Sequence, residues 1–255
     1  MTTLDLHPAP GAAPTSRMLA AQAALELRLT LRRGESVLLT LIIPLALLLF
    51  FTSVDALPAG SGRPIDFVTP GVLALAVLST SFTGLAIATG FERSYGALKR
   101  LGASALPRSV LLAGKTLAVL AVELLQVILL VAVGYALGWH PHGNPAVALL
   151  LIVVGTASFS ALGLLMAGTL RAEATLAAAN GVYLVLLLLG GIVFPLSQLP
   201  GPVSAVAEVL PAAALADGLR SVFSGAAGIP LVDLAVLAGW AIAAGTLAAR
   251  TFRWE

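Results

Sequence analysis

The chain has 255 residues, of which 59% are hydrophobic and only 10% are charged, and its mean hydropathy is +1.02. A soluble domain carries about 25% charged residues, so this composition excludes an ordinary soluble domain and indicates an integral membrane protein. The sequence has no cysteine, which excludes disulfides and thiolate metal sites. A formal net charge of only +2 does not indicate a nucleic-acid partner.

The N-terminal segment is rich in proline. Its length and its three prolines, Pro8, Pro10 and Pro14, are atypical of a secretory signal peptide, so residues 1–16 are predicted to form a disordered tail. Residues 17–35 then contain the alternating stretch LELRLTL, which by itself favours a strand. An isolated strand at a membrane surface would leave its backbone groups unpaired, and we therefore predict a helix.

Six apolar runs with few charges follow, each close to the length of about 20 residues that crosses a bilayer. These runs are residues 37–53, 67–91, 109–138, 146–170, 176–195 and 231–249. Strands of membrane barrels are shorter and alternate in hydrophobicity, so the pattern predicts an all-α membrane protein with six transmembrane helices. We expect residues 17–255 to form a single domain.

The distribution of basic residues predicts the orientation in the membrane. With six spans, both termini and the loops after the second and fourth spans share one side, which receives all but two of the 14 Lys and Arg residues. The opposite side receives only Arg63 and Arg220. Because positive charge is retained on the cytoplasmic side, both termini are predicted to be cytoplasmic, in a cell membrane.

The third run contains Gly114-Lys115-Thr116, which is the end of a nucleotide-binding loop motif. Ser109 stands where that motif begins with glycine, and the triplet lies in an apolar run rather than between a strand and a helix. We therefore expect no nucleotide binding here. Lys115 is predicted to extend its ammonium group to the cytoplasmic headgroups.

The loop before the third run is predicted to form a short amphipathic helix over residues 91–101. Phe91, Tyr95, Leu98 and Leu101 have the spacing of one helix face, and Pro107 prevents the helix from continuing. Two interpretations remain open. The segment is either a connector that lies on the membrane or in solvent, or a helix that inserts its apolar face into a groove of a partner protein.

A few polar residues within the runs are candidates for function. Glu123 and Gln126 share a helix face in the third run, and Asn180 lies near the start of the fifth. A carboxylate within a bilayer is costly, so we expect these side chains to face protein, as structural hydrogen bonds or as part of a substrate path. His140 and His142 stand beside proline and glycine and are interpreted as an outer turn, without a metal.

Two groups of residues resemble the permeases of ATP-binding-cassette transporters, type-2 exporter class. Glu92, Gly96 and Leu98 match the E-x-x-x-G-x-L element of the first long cytoplasmic loop, although Ser94 replaces a frequent acidic residue and Ala97 a frequent threonine. The second group is the ordered series Phe194-Pro195, Leu199-Pro200, Leu210-Pro211 and Arg220 before the last span. The resemblance covers about residues 17–253.

The resemblance implies that residues 17–35 form an elbow helix on the inner leaflet and that Arg28, Arg32 and Arg33 face anionic headgroups. It also implies a coupling helix that contacts the ATPase subunit, through Phe91, Glu92, Tyr95, Gly96, Leu98 and Leu101. Residues 196–221 would form a re-entrant hairpin of two short outer helices, marked by Pro195, Pro200, Pro211 and Arg220. A simple outer amphipathic loop is the alternative.

The resemblance further implies a complex of two permease halves, identical or paralogous, with two cytoplasmic ATPase subunits that bind ATP and Mg. The chain itself contains no ATPase motif, so it is not expected to be an enzyme and needs no cofactor. Export is implied, and the apolar composition favours a lipid, a drug or another amphiphile as substrate. A membrane-embedded enzyme and a secondary transporter remain alternatives. The sequence shows neither the paired catalytic residues that such an enzyme needs nor the internal repeat that is typical of a secondary transporter.

Overall fold

The computed structural model describes residues 12–53, 63–226 and 228–254, and within these ranges it is helical and contains no β-strand. In chain order the helices are α1 (Thr15–Arg32), α2 (Gly34–Ser53), α3 (Pro64–Val77), α4 (Leu85–Ser94), α5 (Ala97–Gly102), α6 (Arg108–Ala136), α7 (Pro145–Thr169), α8 (Ala172–Leu189), α9 (Gly201–Glu208), α10 (Pro211–Phe223) and α11 (Leu231–Thr251). The all-α prediction is confirmed. Residues 1–11 of the predicted tail lie outside the described residues, and the helix α1 already begins at Thr15.

Five helical segments have the length and the hydropathy to cross a membrane. They are Pro64–Ser94, Arg108–Ala136, Pro145–Thr169, Ala172–Leu189 and Leu231–Thr251. The remaining predicted span, residues 37–53 and the first in chain order, corresponds to α2, whose apolar part, Leu38–Ser53, is shorter. The fifth span was predicted to reach residue 195 but ends at Leu189, because Gly190 and Gly191 follow and Gly191 adopts a left-handed conformation with φ of 64°.

A π-helical segment, Leu78–Gly84, joins α3 to α4 within one continuous span. Such segments widen the helix and are frequent at functional sites. Here the segment contains several hydroxyl residues, and α7 approaches its backbone closely at Gly163. A Cβ atom on Gly163 would lie 2.7 Å from the carbonyl oxygen of Phe82, so only glycine permits this approach.

The core has two parts. The larger part is built from α3, the π segment, α7 and α10, and its fully buried side chains include Leu73, Phe82, Leu151, Phe159 and Leu215. The smaller part lies at the end of the bundle where α5 and the C-terminus meet. Its members are Leu85, Leu98, Leu111, Leu112, Leu164, Ala248 and Phe252.

The C-terminal residues close this smaller part of the core. The backbone N–H of Arg253 donates to the carbonyl of Gly168, at 3.2 Å. Trp254 packs on Gly102 of α5, where a Cβ atom would lie 2.9 Å from the indole ring. The end of the chain therefore supports α5 directly.

The segment before the last helix contains the two short helices that the sequence predicts. Pro195 precedes a 3₁₀ turn, Leu196–Gln198, and α9 and α10 meet at 84°. Pro200 precedes α9, and Pro211 is the first residue of α10, where its missing N–H is not needed. The indole nitrogen of Trp240 donates to the carbonyl of Val209 at 2.9 Å, so the corner between the two helices lies beside the middle of α11. The depth of this corner in the membrane stays a prediction.

Candidate functional site

The segment with the E-x-x-x-G-x-L pattern is not a single helix, so the prediction of one continuous helix over residues 91–101 is wrong. α4 ends at Ser94, and Gly96 has a φ of 72°. Its N–H donates to the carbonyl of Arg93 at 3.0 Å, and α5 begins at the next residue. Glycine adopts this left-handed conformation readily and ends helices with it, so the chain changes direction at Gly96.

This break separates the residues that were predicted to share one face. Phe91 and Tyr95 remain neighbours, with ring centroids 6.1 Å apart, and Tyr95 is 78% exposed. Leu98 is instead 1% exposed and belongs to the smaller part of the core, against which Leu101 packs. The prediction of a common apolar face is therefore wrong, because Leu98 and Leu101 pack against the bundle and hold α5 there.

The exposed residues of the turn and of α5 form a small surface, which we call the coupling surface. We restrict the name to four of these residues, Tyr95, Ala97, Lys99 and Arg100. The surface combines an aromatic ring, a small residue and two basic side chains on a rigid support. Such a surface suits a protein partner that carries an apolar pocket with acidic residues at its rim.

Below this surface Lys115 is buried, and the prediction that it extends to the headgroups is wrong. The side chain is 2% exposed, and its Nζ lies 2.5 Å from Oε2 of Glu92 and 2.9 Å from Oε1 of Glu26. Gln22 also donates to Oε1 of Glu26, at 2.8 Å. Burial of an ammonium group costs several kcal/mol unless carboxylates offset it, and two carboxylates from two other helices do so here.

The fourth member of this charged group is Arg33, which lies at the end of α1. Its Nη2 is 3.8 Å from Oε1 of Glu92, and its side chain is 55% exposed. We call Glu26, Arg33, Glu92 and Lys115 the Lys115 cluster. The cluster joins the helix α1, the start of the E-x-x-x-G-x-L pattern and α6. Arg28 and Arg32, by contrast, are exposed on α1, and their contact with headgroups stays a prediction.

The Gly114-Lys115-Thr116 triplet lies in the uninterrupted helix α6. The side chain of Gln22 rests on Gly114, where a Cβ atom would lie 2.6 Å from Cγ of Gln22. Thr116 donates to the carbonyl of Leu112 in its own helix, at 3.1 Å. The glycine therefore allows α1 to approach α6, and the lysine holds it there.

A cavity of about 450 Å³ lies beside the Lys115 cluster, between α1, α2, α4 and α6. One end contains the four charged side chains of the cluster. The remaining wall is largely apolar and includes Leu85, Ile87, Ala88, Val119 and Val122. This cavity is thus bordered by residues of the predicted elbow helix and by residues of the E-x-x-x-G-x-L pattern, which the sequence analysis treated as separate features.

Glu123 and Gln126 are both buried inside the bundle, but they face different neighbours. Gln126 accepts from Thr80 of the π segment at 3.1 Å and donates to the carbonyl of Thr40 in α2 at 2.5 Å. Glu123 is 0% exposed and accepts from the hydroxyl of Thr156 in α7, while its Oε1 has no hydrogen-bond partner among the described residues. Both residues therefore connect α6 to other helices.

Asn180 does not join these two residues. It is exposed on α8, and its Nδ2 donates to the carbonyl of Leu176 in its own helix, at 2.8 Å. The three polar residues that the sequence marked as a possible substrate path are thus not brought together in this chain. Asn180 instead lies on the outer surface of the bundle.

At the opposite end of the bundle, Arg220 of α10 is held by several groups. Nη1 donates to Asp217 and Nη2 to the carbonyl of Ile192, both at 3.1 Å. Its guanidinium carbon lies 3.9 Å from the centroid of the Phe67 ring. Arg220, predicted from the sequence as a hairpin residue, therefore ties the hairpin to α3 and to the segment after α8.

The pairing of Lys115 with Glu26 is the main feature of this site that the sequence reasoning missed. A signal was present, because a lone lysine inside an apolar run requires a buried partner. Glu26 is likewise a lone acid among basic and apolar residues. The sequence does not predict which helix α1 packs against, and the structure shows that α1 lies along α6.

Comparison with known proteins agrees with this architecture. No curated protein matches the sequence significantly. The family model described as ABC-2 type transporter matches residues 20–224, which is about four fifths of the chain. This match begins in α1 and ends just after α10, so it includes the Lys115 cluster, the coupling surface and the hairpin. Given the match and the membrane-span-length helices, the chain belongs to the ABC-2 type transporter family and is a multi-pass membrane permease subunit of an ABC transporter.

Proposed function

We propose that this permease exports a lipid, a drug or another amphiphile, driven by ATP that separate cytoplasmic subunits hydrolyse. Permeases of this family work with ABC ATPase subunits. In the proposed complex two such subunits bind ATP and Mg, and two permease halves, identical or paralogous, form the path. The chain described here carries no catalytic residue in this scheme.

The coupling surface is the observation that carries the proposal. It is an exposed aromatic and basic patch held on a rigid support, because Leu98 is buried below it and Glu92 is paired with Lys115. A force on Tyr95 would therefore reach α4 and α6 together rather than bend a loose loop. Such a rigid connection is what transmission of ATPase closure to the membrane helices requires.

The charge distribution supports a cytoplasmic position for this surface. Beside Lys99 and Arg100, the same end of the bundle contains Arg93, Arg171 and Arg253. Because basic residues near span ends stay on the cytoplasmic side, both termini and the coupling surface would face the cytoplasm of a cell membrane. The hairpin would then face outward.

The outward apolar faces of α2 and α8 support a pairing of two permease halves. Exposed residues include Ile42 and Phe50 on α2, and Leu184 and Leu188 on α8. In a bilayer such faces contact either lipid or another apolar helix. We assign part of them to the second permease half.

The proposal is tested by co-expression of the chain with candidate ABC ATPase subunits and measurement of co-purification from membranes. Tyr95→Asp places a carboxylate in the partner's apolar pocket, and burial of an unpaired charge there should lower co-purification by roughly tenfold or more. Ala226→Asp is the matched control, since it adds the same charge to an exposed residue at the opposite end.

The outcomes separate the parts of the proposal. Retained co-purification of Tyr95→Asp would show that the coupling surface is not the ATPase contact. Failure of every candidate ATPase to bind the wild-type chain would contradict the proposed function itself. ATP hydrolysis that rises when a candidate amphiphile is added to the wild-type complex would support export of that substrate class.

A further inference from the structure

The cavity beside the Lys115 cluster has the size and the lining of a ligand site. Its volume of about 450 Å³ falls within the range of roughly 300–1,000 Å³ that small-molecule sites occupy. Its charged groups are gathered at one end, and residues such as Ala88 and Val119 form an apolar wall beyond them. A molecule that matches this cavity has one charged group and one apolar body.

The charges at the charged end of the cavity determine the sign of the ligand. Among the described residues, Lys115 is the one fully buried cation in contact with Glu26 and Glu92, of which Glu92 is partly exposed. This closely paired group carries two negative charges and one positive charge. Arg33 is the fourth member, but it lies 3.8 Å from Glu92 and more than half of its side chain is exposed to solvent. Because water reaches the guanidinium group and the separation is long, Arg33 compensates the charge of Glu92 only in part.

Part of one negative charge therefore remains uncompensated in a largely buried setting, where charges interact more strongly than in water. An anionic group in the cavity would add to this excess, and a neutral group would leave it unchanged. A cationic group would neutralise it. The same carboxylates already hold one ammonium group, which shows that their geometry suits an amine.

We propose that this cavity binds a cationic amphiphile, with an amine next to Glu26 and Glu92 and an apolar body along α4 and α6. Glu92 and Tyr95 both border the cavity, and Tyr95 also belongs to the coupling surface. An occupant thus contacts the segment that meets the ATPase. This last link rests on the proposed function, whereas binding itself does not.

Binding is measured by equilibrium binding of radiolabelled dodecylamine to the purified chain in a neutral maltoside detergent. We expect saturable binding that unlabelled dodecylamine displaces at least about tenfold better than dodecanol, because only the amine neutralises the carboxylates. Dodecanoate should not displace the label. Equal displacement by the amine and the alcohol would overturn the assignment of a cationic group.

The location is tested with variants that fill the cavity. Ala88→Phe adds a ring to its apolar wall and should lower dodecylamine affinity by about tenfold or more. Ala113→Phe is the matched control, because Ala113 is exposed on α6 and does not border the cavity. Val119→Phe replaces Ala88→Phe if the latter fails to fold. Unchanged affinity in a folded cavity variant would overturn the site.

Two further measurements identify the source of the amine and separate this inference from the proposed function. Displacement of the label by phosphatidylethanolamine in mixed micelles would assign the cavity to an amine-headed membrane lipid, and lack of displacement would assign it to a free cationic amphiphile. Absence of saturable binding to a chain that still co-purifies with its ATPase would overturn the inference alone. Binding without ATPase attachment would instead contradict the proposed function.

Discussion

Two basic side chains at opposite ends of the bundle are largely shielded from solvent, and they are held in different ways. Lys115 is paired with two carboxylates, Glu26 and Glu92, which come from two other helices. Arg220 is paired with one carboxylate from its own helix, and its remaining contacts are a backbone carbonyl and an aromatic ring. Both ends join three parts of the chain, but only one depends on ion pairs between helices.

The chemistry of the two side chains explains this difference. An ammonium group is compact, so it gathers several carboxylates around one point, whereas a planar guanidinium group distributes its donors among different acceptors. The Lys115 end therefore concentrates several charges at one point, so its stability depends on ion pairs between helices. The Arg220 end is a more neutral connection that holds the hairpin in place.

The largest effect is expected for Lys115→Met. Removal of the ammonium group leaves Glu26 and Glu92 largely buried without their close cation, which should lower the free energy of unfolding by about 3–5 kcal/mol. Thermal unfolding followed by tryptophan fluorescence measures this loss. Arg108→Met is the control, because it removes an exposed base from the same helix. Equal stability of the two variants would mean that the ion pairs do not hold α1.

Arg220→Met is expected to have a smaller effect, about 1–3 kcal/mol. The carbonyl of Ile192 loses a donor, but Asp217 is partly exposed and can be hydrated. The damage should be confined to the hairpin, so proteolysis between α9 and α10 should increase more than unfolding of the whole bundle. A loss as large as that of Lys115→Met would contradict the difference between the two ends.

A pair of glycines tests packing at the same two ends. A Cβ atom on Gly71 would lie 2.7 Å from the backbone carbonyl oxygen of Ile192, whereas one on Gly114 would lie 2.6 Å from the side chain of Gln22. The contact at Gly114 involves Cγ and Cβ of Gln22, which lie next to the backbone of α1, so α1 would have to shift as well. We therefore expect Gly71→Ala and Gly114→Ala each to cost about 1–3 kcal/mol.

The control for both glycine variants is Gly239→Ala, since no atom lies within 4 Å of a Cβ atom at that position. All three variants are compared by thermal unfolding under the same conditions. If either variant were as stable as Gly239→Ala, then the close approach at that glycine would not be needed to hold its end of the bundle together.

The smallest effect is expected for Glu123→Gln. Unlike the carboxylates at the two ends, Glu123 is buried and has no cation paired with it among the described residues. The amide keeps an acceptor for Thr156, so stability should change by less than about 1 kcal/mol. Glu123→Leu removes the acceptor and should be more damaging. Assembly and transport are measured for both variants.

These measurements decide between the two roles that remain open for Glu123. A structural role predicts near-normal assembly and transport in Glu123→Gln and damage in Glu123→Leu. A role in substrate passage predicts that both variants assemble while transport falls in each. Full assembly and transport of Glu123→Leu would exclude both roles.

The local features of the fold were predictable because they depend on neighbouring residues. Helix length follows from the extent of each apolar run, and the starts of α9 and α10 follow from prolines, so these elements were predicted correctly. The end of α8 was placed too late, because the apolar pattern continues past Gly190 and Gly191 although the backbone turns there. For the same reason, residues 91–101 were predicted to form one helix, although the backbone turns at Gly96.

By itself, the sequence determined a helical membrane protein with a basic end, because hydropathy and charge are properties of each segment. Only the tertiary structure decided that Leu98 is buried, that Asn180 stands apart from Glu123, and that Lys115 meets Glu92 and Glu26. The two carboxylates reach Lys115 from distant parts of the chain, and no local pattern specifies which helices pack together. The Lys115 cluster and its cavity arise from that packing, since α1 folds back along α6 and brings three separate segments to one point.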